Sequence, residues 1–175
     1  MSIKELVEIV TKISDCKVHP SNGLPIVPEG YILPSDIKEF YSLCGGMDLY
    51  LNTEGFSYKI LPPEKFTFAN PTILGEETAL EVSSSEEYKG DVTLDCFTIV
   101  SDSNGDFLVT DLNKMRYGLC YDAFHETYGL VGDTPIIAKS FTELLENLIK
   151  NEGKSIFWLD DNFEPLGDAY DNAIS

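Results

Sequence analysis

Positively charged residues are scarce in this sequence of 175 residues. Lysine and arginine together number 12, against 30 aspartate and glutamate residues, and the formal net charge is −18. Proteins that bind nucleic acid neutralise its phosphates with lysine and arginine, so this composition excludes nucleic acid as a partner. A strongly negative surface instead favours a basic protein partner, because opposite charges accelerate the encounter.

The sequence also lacks the motifs of common metal and enzyme sites. Its four cysteines, Cys16, Cys44, Cys96 and Cys120, are widely spaced and contain no Cys-x-x-Cys pair, which excludes the usual zinc and dithiol motifs. Gly-x-Ser-x-Gly, phosphate-binding and dinucleotide-binding motifs are absent as well. We therefore predict free thiols in a reducing cytoplasm, no cofactor and no enzymatic activity.

Long hydrophobic runs are a third absence. No apolar stretch approaches the length that a membrane span requires. The first apolar stretch contains Glu5 and Glu8, so it does not have the uninterrupted apolar centre of a signal peptide. The sequence thus predicts a cytoplasmic protein that has no membrane partner.

A strong hairpin signal lies near the middle of the chain. In residues 97–112, two apolar and β-branched runs flank a polar turn that contains Asn104-Gly105. This dipeptide favours a type I′ turn, because both central positions need positive φ. We predict the central hairpin of an antiparallel sheet. With 43% hydrophobic residues and no recognisable linker, residues 1–175 are predicted to form a single domain.

Three helices are predicted from their end signals and apolar spacing. Ser2 opens the first with the spacing of a capping box, and Ser140 repeats that spacing before an apolar stripe near the C-terminus. The remaining helix begins near Leu33-Pro34 and ends at Gly45-Gly46, where glycine can take the left-handed C-terminal position.

The other segments are predicted to be strands or irregular. Residues 17–31 contain too many proline and glycine residues for a regular element, and residues 76–91 combine six acidic residues with no clear period. We expect an ordered loop in the first segment and a mobile surface excursion in the second. Phe66, Phe68 and Ile73 are predicted to form an edge strand or a packed loop. Strands are predicted within residues 47–51, 56–61 and 119–124, and a short strand or an extended lead-in to the last helix is predicted over residues 134–138.

Large apolar side chains in the first part of the tail after Ser155 indicate that it is packed. Together the elements predict the α+β class, with a central, mainly antiparallel sheet of about five or six strands. N-terminal helices and a C-terminal helix are expected to flank this sheet.

Three groups of residues have both a chemical and a structural interpretation. Asp102-x-Asn104-x-Asp106 is similar to the start of a calcium loop, but its glycine is misplaced, so a plain turn is favoured. Cys120 and His125 have odd spacing and would lie on opposite faces of a regular strand, which disfavours a catalytic pair. Asp160-Asp161 with Glu164 could bind a cation or be solvated, and solvation is favoured.

Several segments follow one another in an informative order. They are Leu33-Pro34 with Phe40-Tyr41 and Gly45-Gly46, the hairpin from Ile99-Val100 to Asp111-Leu112, and Ala138-Lys139-Ser140-Phe141. This order resembles the SUKH superfamily of Smi/Knr-type cell-wall regulators and bacterial immunity proteins. Residues 111–115, 157–163 and 167–170 resemble its bacterial members. The proline-rich residues 17–31 depart from the helical approach to Leu-Pro that the family leads us to expect.

The resemblance implies a cytoplasmic immunity protein that binds and neutralises a polymorphic secreted toxin, such as a basic nuclease domain, through an acidic and aromatic surface. The alternative is a non-catalytic interaction or regulatory scaffold of the same fold, with cell-wall or housekeeping partners. Neither implies a metal, and exposed edge strands would allow a homodimer. The residues expected to contact the partner are Asp102, Asp106, Asp122, His125, Glu126, Tyr128, Asp160 and Asp161.

Overall fold

Seven strands form one antiparallel sheet, in which each strand pairs with the next along the chain. The computed structural model describes residues 1–171. Its strands are β1 (Lys17–Val18), β2 (Met47–Leu49), β3 (Tyr58–Ile60), β4 (Cys96–Asp102), β5 (Phe107–Asp111), β6 (Cys120–Ala123) and β7 (Ile136–Ala138). Its helices are α1 (Ile3–Thr11), α2 (Ser35–Leu43), α3 (Ala69–Leu74), α4 (Glu76–Ser84) and α5 (Phe141–Asn151). The α+β class is confirmed, although the sheet has one strand more than expected.

The additional strand is β1, which lies within residues 17–31. Lys17 pairs with Asp48 and Val18 pairs with Met47 at one edge of the sheet. For these two residues the prediction of no regular element is wrong. Their extended backbone depends on pairing with β2, a contact between distant segments that the many proline and glycine residues around them conceal.

The opposite edge of the sheet, β7, is covered by the C-terminal segment. The Ile136 N–H donates to the Gly167 carbonyl oxygen at 2.9 Å, and the Ala169 N–H donates to that of Thr134 at 2.9 Å. Because β1 has two residues and β7 is covered, neither edge offers a long free strand for pairing. The homodimer therefore stays a prediction without support from the sheet edges.

The β4–β5 hairpin lies in the middle of the sheet, as predicted, but its turn is not of the predicted type. Gly105 has a φ of 86°, whereas Asn104 does not have positive φ. The type I′ prediction is therefore wrong. Asp102 Oδ1 accepts hydrogen bonds from the N–H groups of Asn104 (2.8 Å) and Asp106 (2.9 Å). These bonds stabilise a three-residue loop that ends in a left-handed glycine.

The helices α1, α2 and α5 cover one face of the sheet. Leu6, Phe40 and Leu145 from these helices share a core with Ile60 and Val100 of the sheet. The flanking N-terminal and C-terminal helices are thus confirmed. The apolar stripes that predicted them are the surfaces that they bury.

A single carboxylate joins the N-termini of α2 and α5. Asp36 Oδ2 accepts hydrogen bonds from the Thr142 N–H (2.9 Å) and hydroxyl (3.1 Å). Ser140 caps α5 as predicted, but the Glu143 carboxylate accepts a hydrogen bond from the Lys139 N–H and not from that of Ser140. Negative charge is favourable at helix N-termini, so Asp36 stabilises both helices and holds them together.

The other face of the sheet has a smaller core of its own. Ala69 of α3, Tyr121 of β6 and Ala169 are buried there, together with Tyr128. The packed first part of the tail is also confirmed, because Phe157 lies in the larger core. Residues 172–175 of that tail lie outside the described residues.

Residues 66–91 are more regular than the sequence predicts. Phe68 forms an isolated bridge with Phe97, and the chain then forms α3 and α4, which Gly75 separates with a φ of 85°. The predicted excursion without regular structure is therefore wrong for residues 76–84. Acidic residues in the first turn favour α4, but Ala79 is its one buried residue. With so little apolar surface to bury, the helix produces no hydrophobic period in the sequence.

A buried carboxylate lies where β5 and β6 are connected. Asp111 is fully buried, and its Oδ2 accepts hydrogen bonds from Arg116 Nε (2.7 Å) and the Tyr121 hydroxyl (2.6 Å). Arg116 also lies 3.5 Å from Asp95, whose Oδ1 accepts a hydrogen bond from the Tyr31 hydroxyl at 2.7 Å. Burial raises the pKa of Asp111 despite these favourable contacts. The ionised carboxylate consequently depends on Arg116.

Replacing Arg116 with leucine should lower the free energy of unfolding by about 3–5 kcal/mol, because Asp111 would stay buried without its cation. Urea denaturation at neutral pH measures the change. Lys114→Ala in the same connection is the control, since Lys114 is exposed, and it should change stability by less than about 0.5 kcal/mol. Equal midpoints for the two variants would show that the Asp111 carboxylate does not need Arg116.

Candidate functional site

Most of the predicted partner-binding residues lie at one end of the sheet, where the β4–β5 hairpin meets the chain that leaves β6. Asp106 Oδ1 accepts a hydrogen bond from the His125 N–H at 3.0 Å and lies 2.8 Å from His125 Nδ1. The hydrogen bond with Asp106 raises the pKa of His125, and the negative charges of Asp106 and Glu126 add to this effect. The His125 side chain is 62% exposed, so this pair links two loops at the surface.

Asp122, at the end of β6, is less accessible. Its Oδ2 accepts a hydrogen bond from Trp158 Nε1 at 3.1 Å, and its Oδ1 accepts one from the Phe124 N–H at 3.1 Å. Burial raises the pKa of Asp122, and the charges of Asp106 and Asp102 raise it further. Asp122 is therefore a partly desolvated carboxylate that lies close to two others, an arrangement that a cation would stabilise.

Tyr58 of β3 connects these groups to the C-terminal segment. It pairs with Asp102 across β3 and β4. Burial is the main cause that raises the pKa of Tyr58, and the negative charges of Asp102, Asp122 and Asp160 raise it further. Asp160 follows the 3-10 turn Phe157–Leu159. We define the acidic end surface as Asp102, Asp106, Asp122, His125, Glu126 and Asp160.

Two predicted residues lie outside this group. Asp161 is exposed and adjoins Asp160 in the chain. Tyr128 is 5% exposed, and its hydroxyl donates to Asn70 Oδ1 at 2.9 Å inside the smaller core, so a partner cannot reach it in this structure. The alternation of apolar and polar residues and the position of a residue near a loop do not tell whether a tyrosine is buried, since buried and exposed tyrosines both occur beside turns.

Sequence reasoning did not assign Trp158 and Leu159 to the partner surface. Trp158 is half-buried and donates a hydrogen bond from Nε1 to Asp122, and the neighbouring apolar side chain of Leu159 is 68% exposed.

 Trp158 is also the one tryptophan of the chain, and its presence among acidic residues is the signal that could have pointed to this surface. Tryptophan is enriched at the energetically important positions of protein interfaces, because it combines a large apolar ring with a hydrogen-bond donor.

The geometry also bears on the catalytic, metal and membrane interpretations. Cys96 and Cys120 are fully buried, and burial raises the pKa of both thiols, which disfavours the reactive thiolate. The imidazole of His125 is exposed and pairs with Asp106, not with a cysteine. Within residues 1–171, no group of three His, Cys, Asp or Glu side chains is placed to hold a metal ion. No helix in this range has the length and apolarity needed to cross a membrane.

Comparison with known proteins identifies the family. The model of the SMI1 / KNR4 family (SUKH-1) matches residues 29–147, more than half of the chain. The chain belongs to the SMI1/KNR4 (SUKH-1) family. The matched range begins before α2, includes the β4–β5 hairpin and reaches into α5, so the resemblance to SUKH proteins is confirmed on the segments that indicated it.

One relative extends this SUKH-1 similarity to nearly the whole chain. Immunity protein YokJ of Bacillus subtilis (strain 168) is 41% identical over 171 residues, which cover 98% of this chain and 97% of that protein. The similarity therefore extends beyond residues 29–147 at both ends. No solved structure matches the chain significantly.

The His125–Asp106 pair predicts a measurable pH dependence. Because the folded pKa of His125 is raised, the stabilisation from its protonation is complete below the unfolded value near 6.5 and is lost as pH rises through the folded pKa. An NMR titration of His125 should therefore have a midpoint above 6.5, and Asp106→Asn should lower this midpoint more than Glu126→Gln does. A midpoint that does not respond to Asp106→Asn would contradict the pairing.

Proposed function

We propose that this SUKH-1 protein is an immunity protein that binds a cognate toxin in the cytoplasm and neutralises it without catalysis. The observation that carries the proposal is the 41% identity to a protein named immunity protein YokJ, across nearly the full length of both chains. Family membership alone is compatible with the scaffold alternative. The relative's name therefore favours the immunity function over a scaffold with cell-wall or housekeeping partners.

The charges of the acidic end surface support a basic toxin as the partner. The ion pairs that Lys and Arg side chains form with carboxylates in residues 1–171 involve Asp48, Glu86, Asp95, Asp111, Glu146 and Glu152. In the same range, no lysine or arginine pairs with Asp102, Asp106, Asp122 or Asp160. Lysine or arginine side chains of a toxin would supply this counter-charge, and long-range attraction would accelerate association.

Apolar groups within the same surface would add affinity. The Trp158 ring lies edge-to-face against Phe157, with ring centroids 4.9 Å apart, and its Nε1 is bound to Asp122. Trp158 is thus held in place before a partner arrives, which lowers the entropy that is lost on binding. The exposed Leu159 lies next to it in the chain. The proposed contact surface therefore includes Trp158, Leu159 and Asp161 and omits the buried Tyr128.

Co-expression with a toxin domain encoded beside its gene should restore the growth of a bacterial host that the toxin otherwise kills. Direct binding is the proposed mechanism, so the two proteins should also elute together from a size-exclusion column. An immunity protein for an unrelated toxin is the control. Continued killing and no complex, in the presence of folded protein, would favour the scaffold alternative.

Reversing the charges of Glu126 and Asp161 should slow association with that toxin by about tenfold at low salt and change dissociation less. Stopped-flow tryptophan fluorescence measures both rates, because Trp158 lies in the surface. The control is Glu8→Lys with Glu39→Lys, which changes the net charge equally at exposed positions of α1 and α2. Equal slowing by the two pairs would show that net charge, and not this surface, steers the toxin.

A further inference from the structure

A groove of about 460 Å³ lies between α4 and the chain that leads into β4. Its apolar lining includes Tyr31, Phe68, Pro71, Leu80 and Leu94. Leu94 precedes the first residue of β4, whereas the acidic end surface begins at the last residue of that strand, Asp102. Seven strand residues span about 20 Å, so the groove and the acidic end surface are separate.

The helix that forms one wall of the groove contributes little to the core. Ala79 is the one buried residue of α4, and Leu80, which lines the groove, is 68% exposed. A leucine that remains this exposed gains favourable free energy when a partner covers it. The groove wall is therefore better suited to an intermolecular contact than to packing within the domain.

Three polar side chains of the groove, those of Tyr31, Asn70 and Thr93, are already hydrogen-bonded within the domain. Asn70 Nδ2 donates to Thr93 Oγ1 at 3.0 Å, and the Thr93 hydroxyl donates to Asp91 Oδ1 at 2.6 Å. The Tyr31 hydroxyl donates to Asp95. Because these groups have partners within the domain, the occupant that fits the lining is an apolar side chain.

The charge around the groove determines what can carry that side chain. Residues 76–91 contain six acidic residues and one basic residue, Lys89. Lys89 lies 3.7 Å from Glu86 and offsets one of the six negative charges, so the segment keeps a net charge of −5. Glu76 itself lines the groove. A positively charged segment is therefore the complementary partner.

We propose that this groove binds an apolar side chain presented by a basic segment of a partner protein. The groove is a second docking surface, and its occupant is defined by apolar fit and positive charge together. This inference does not depend on the immunity function, because its evidence lies outside the acidic end surface.

The test uses a short fluorescein-labelled peptide of lysines with two central leucines, and a matched peptide in which glycines replace the leucines. Fluorescence anisotropy should show tighter binding of the leucine peptide to the intact protein. Leu80→Asp should weaken this binding about tenfold, because the apolar contact is lost. The added carboxylate would by itself strengthen binding of a basic peptide, so a loss cannot be an effect of charge.

Met115→Asp is the matched control, because Met115 is 88% exposed and lies in the β5–β6 connection, outside both the groove lining and the proposed toxin-contact surface. It should leave the affinity for the leucine peptide within about twofold of the intact protein. Circular dichroism verifies that both variants are folded. The proposal is overturned if the two peptides bind equally, if neither binds, or if Met115→Asp weakens binding as much as Leu80→Asp does. A dimer of the protein that Leu80→Asp dissociates would also overturn it, since a second copy would then occupy the groove.

Discussion

The burial of the Asp111 carboxylate is the constraint on which much of the structure depends. A carboxylate removed from water needs hydrogen-bond donors, and these come from the β5–β6 connection and from β6: Arg116, the Tyr121 hydroxyl and the Asn113 N–H, which lies 2.8 Å from Oδ1. Meeting this need determines the path of the β5–β6 connection. Through Asp95, the same network holds the chain before α2 against the start of β4.

The carboxylates at the two ends of the sheet differ in whether a lysine or arginine of the domain pairs with them. At the Asp111 end, the charge is compensated inside the domain. At the other end, Asp106 pairs with His125. The carboxylate oxygens of Asp102 and Asp122 accept hydrogen bonds from backbone N–H groups, and Asp122 also accepts one from Trp158. A net charge of −18 opposes the compact state through self-repulsion. A basic partner would relieve this repulsion, which agrees with a protein that acts by binding.

How far sequence reasoning succeeds depends on the range of the interaction that forms each element. The caps at Ser2 and Ser140 involve neighbours within three residues, and both helices begin where their caps predict. The turn at Asn104-Gly105 is predicted in place but not in type, because the Asp102 side chain competes with the intrinsic preference of the dipeptide. The helix α4 is missed, because its stability does not come from a buried apolar face.

For the candidate site, the acidic character is predicted and the grouping is not. The sequence predicts Asp102, Asp122 and Asp160 only singly, as polar residues near loops. Asp102 lies beside Tyr58 because β3 pairs with β4, and Asp160 follows closely on Trp158, which the segment after α5 places against Asp122. Neither the register nor that return has a local signal in the chain.

The sequence by itself determined the helix starts, the central hairpin, the α+β class and the negative charge, since these follow from local hydrogen bonds, apolar periodicity and composition. Only the tertiary structure decided which carboxylates share a surface, that Tyr128 is buried, and that α4 borders an apolar groove. The physical reason is that burial and proximity arise from contacts between residues far apart in the chain, and such contacts exist only once the sheet has formed.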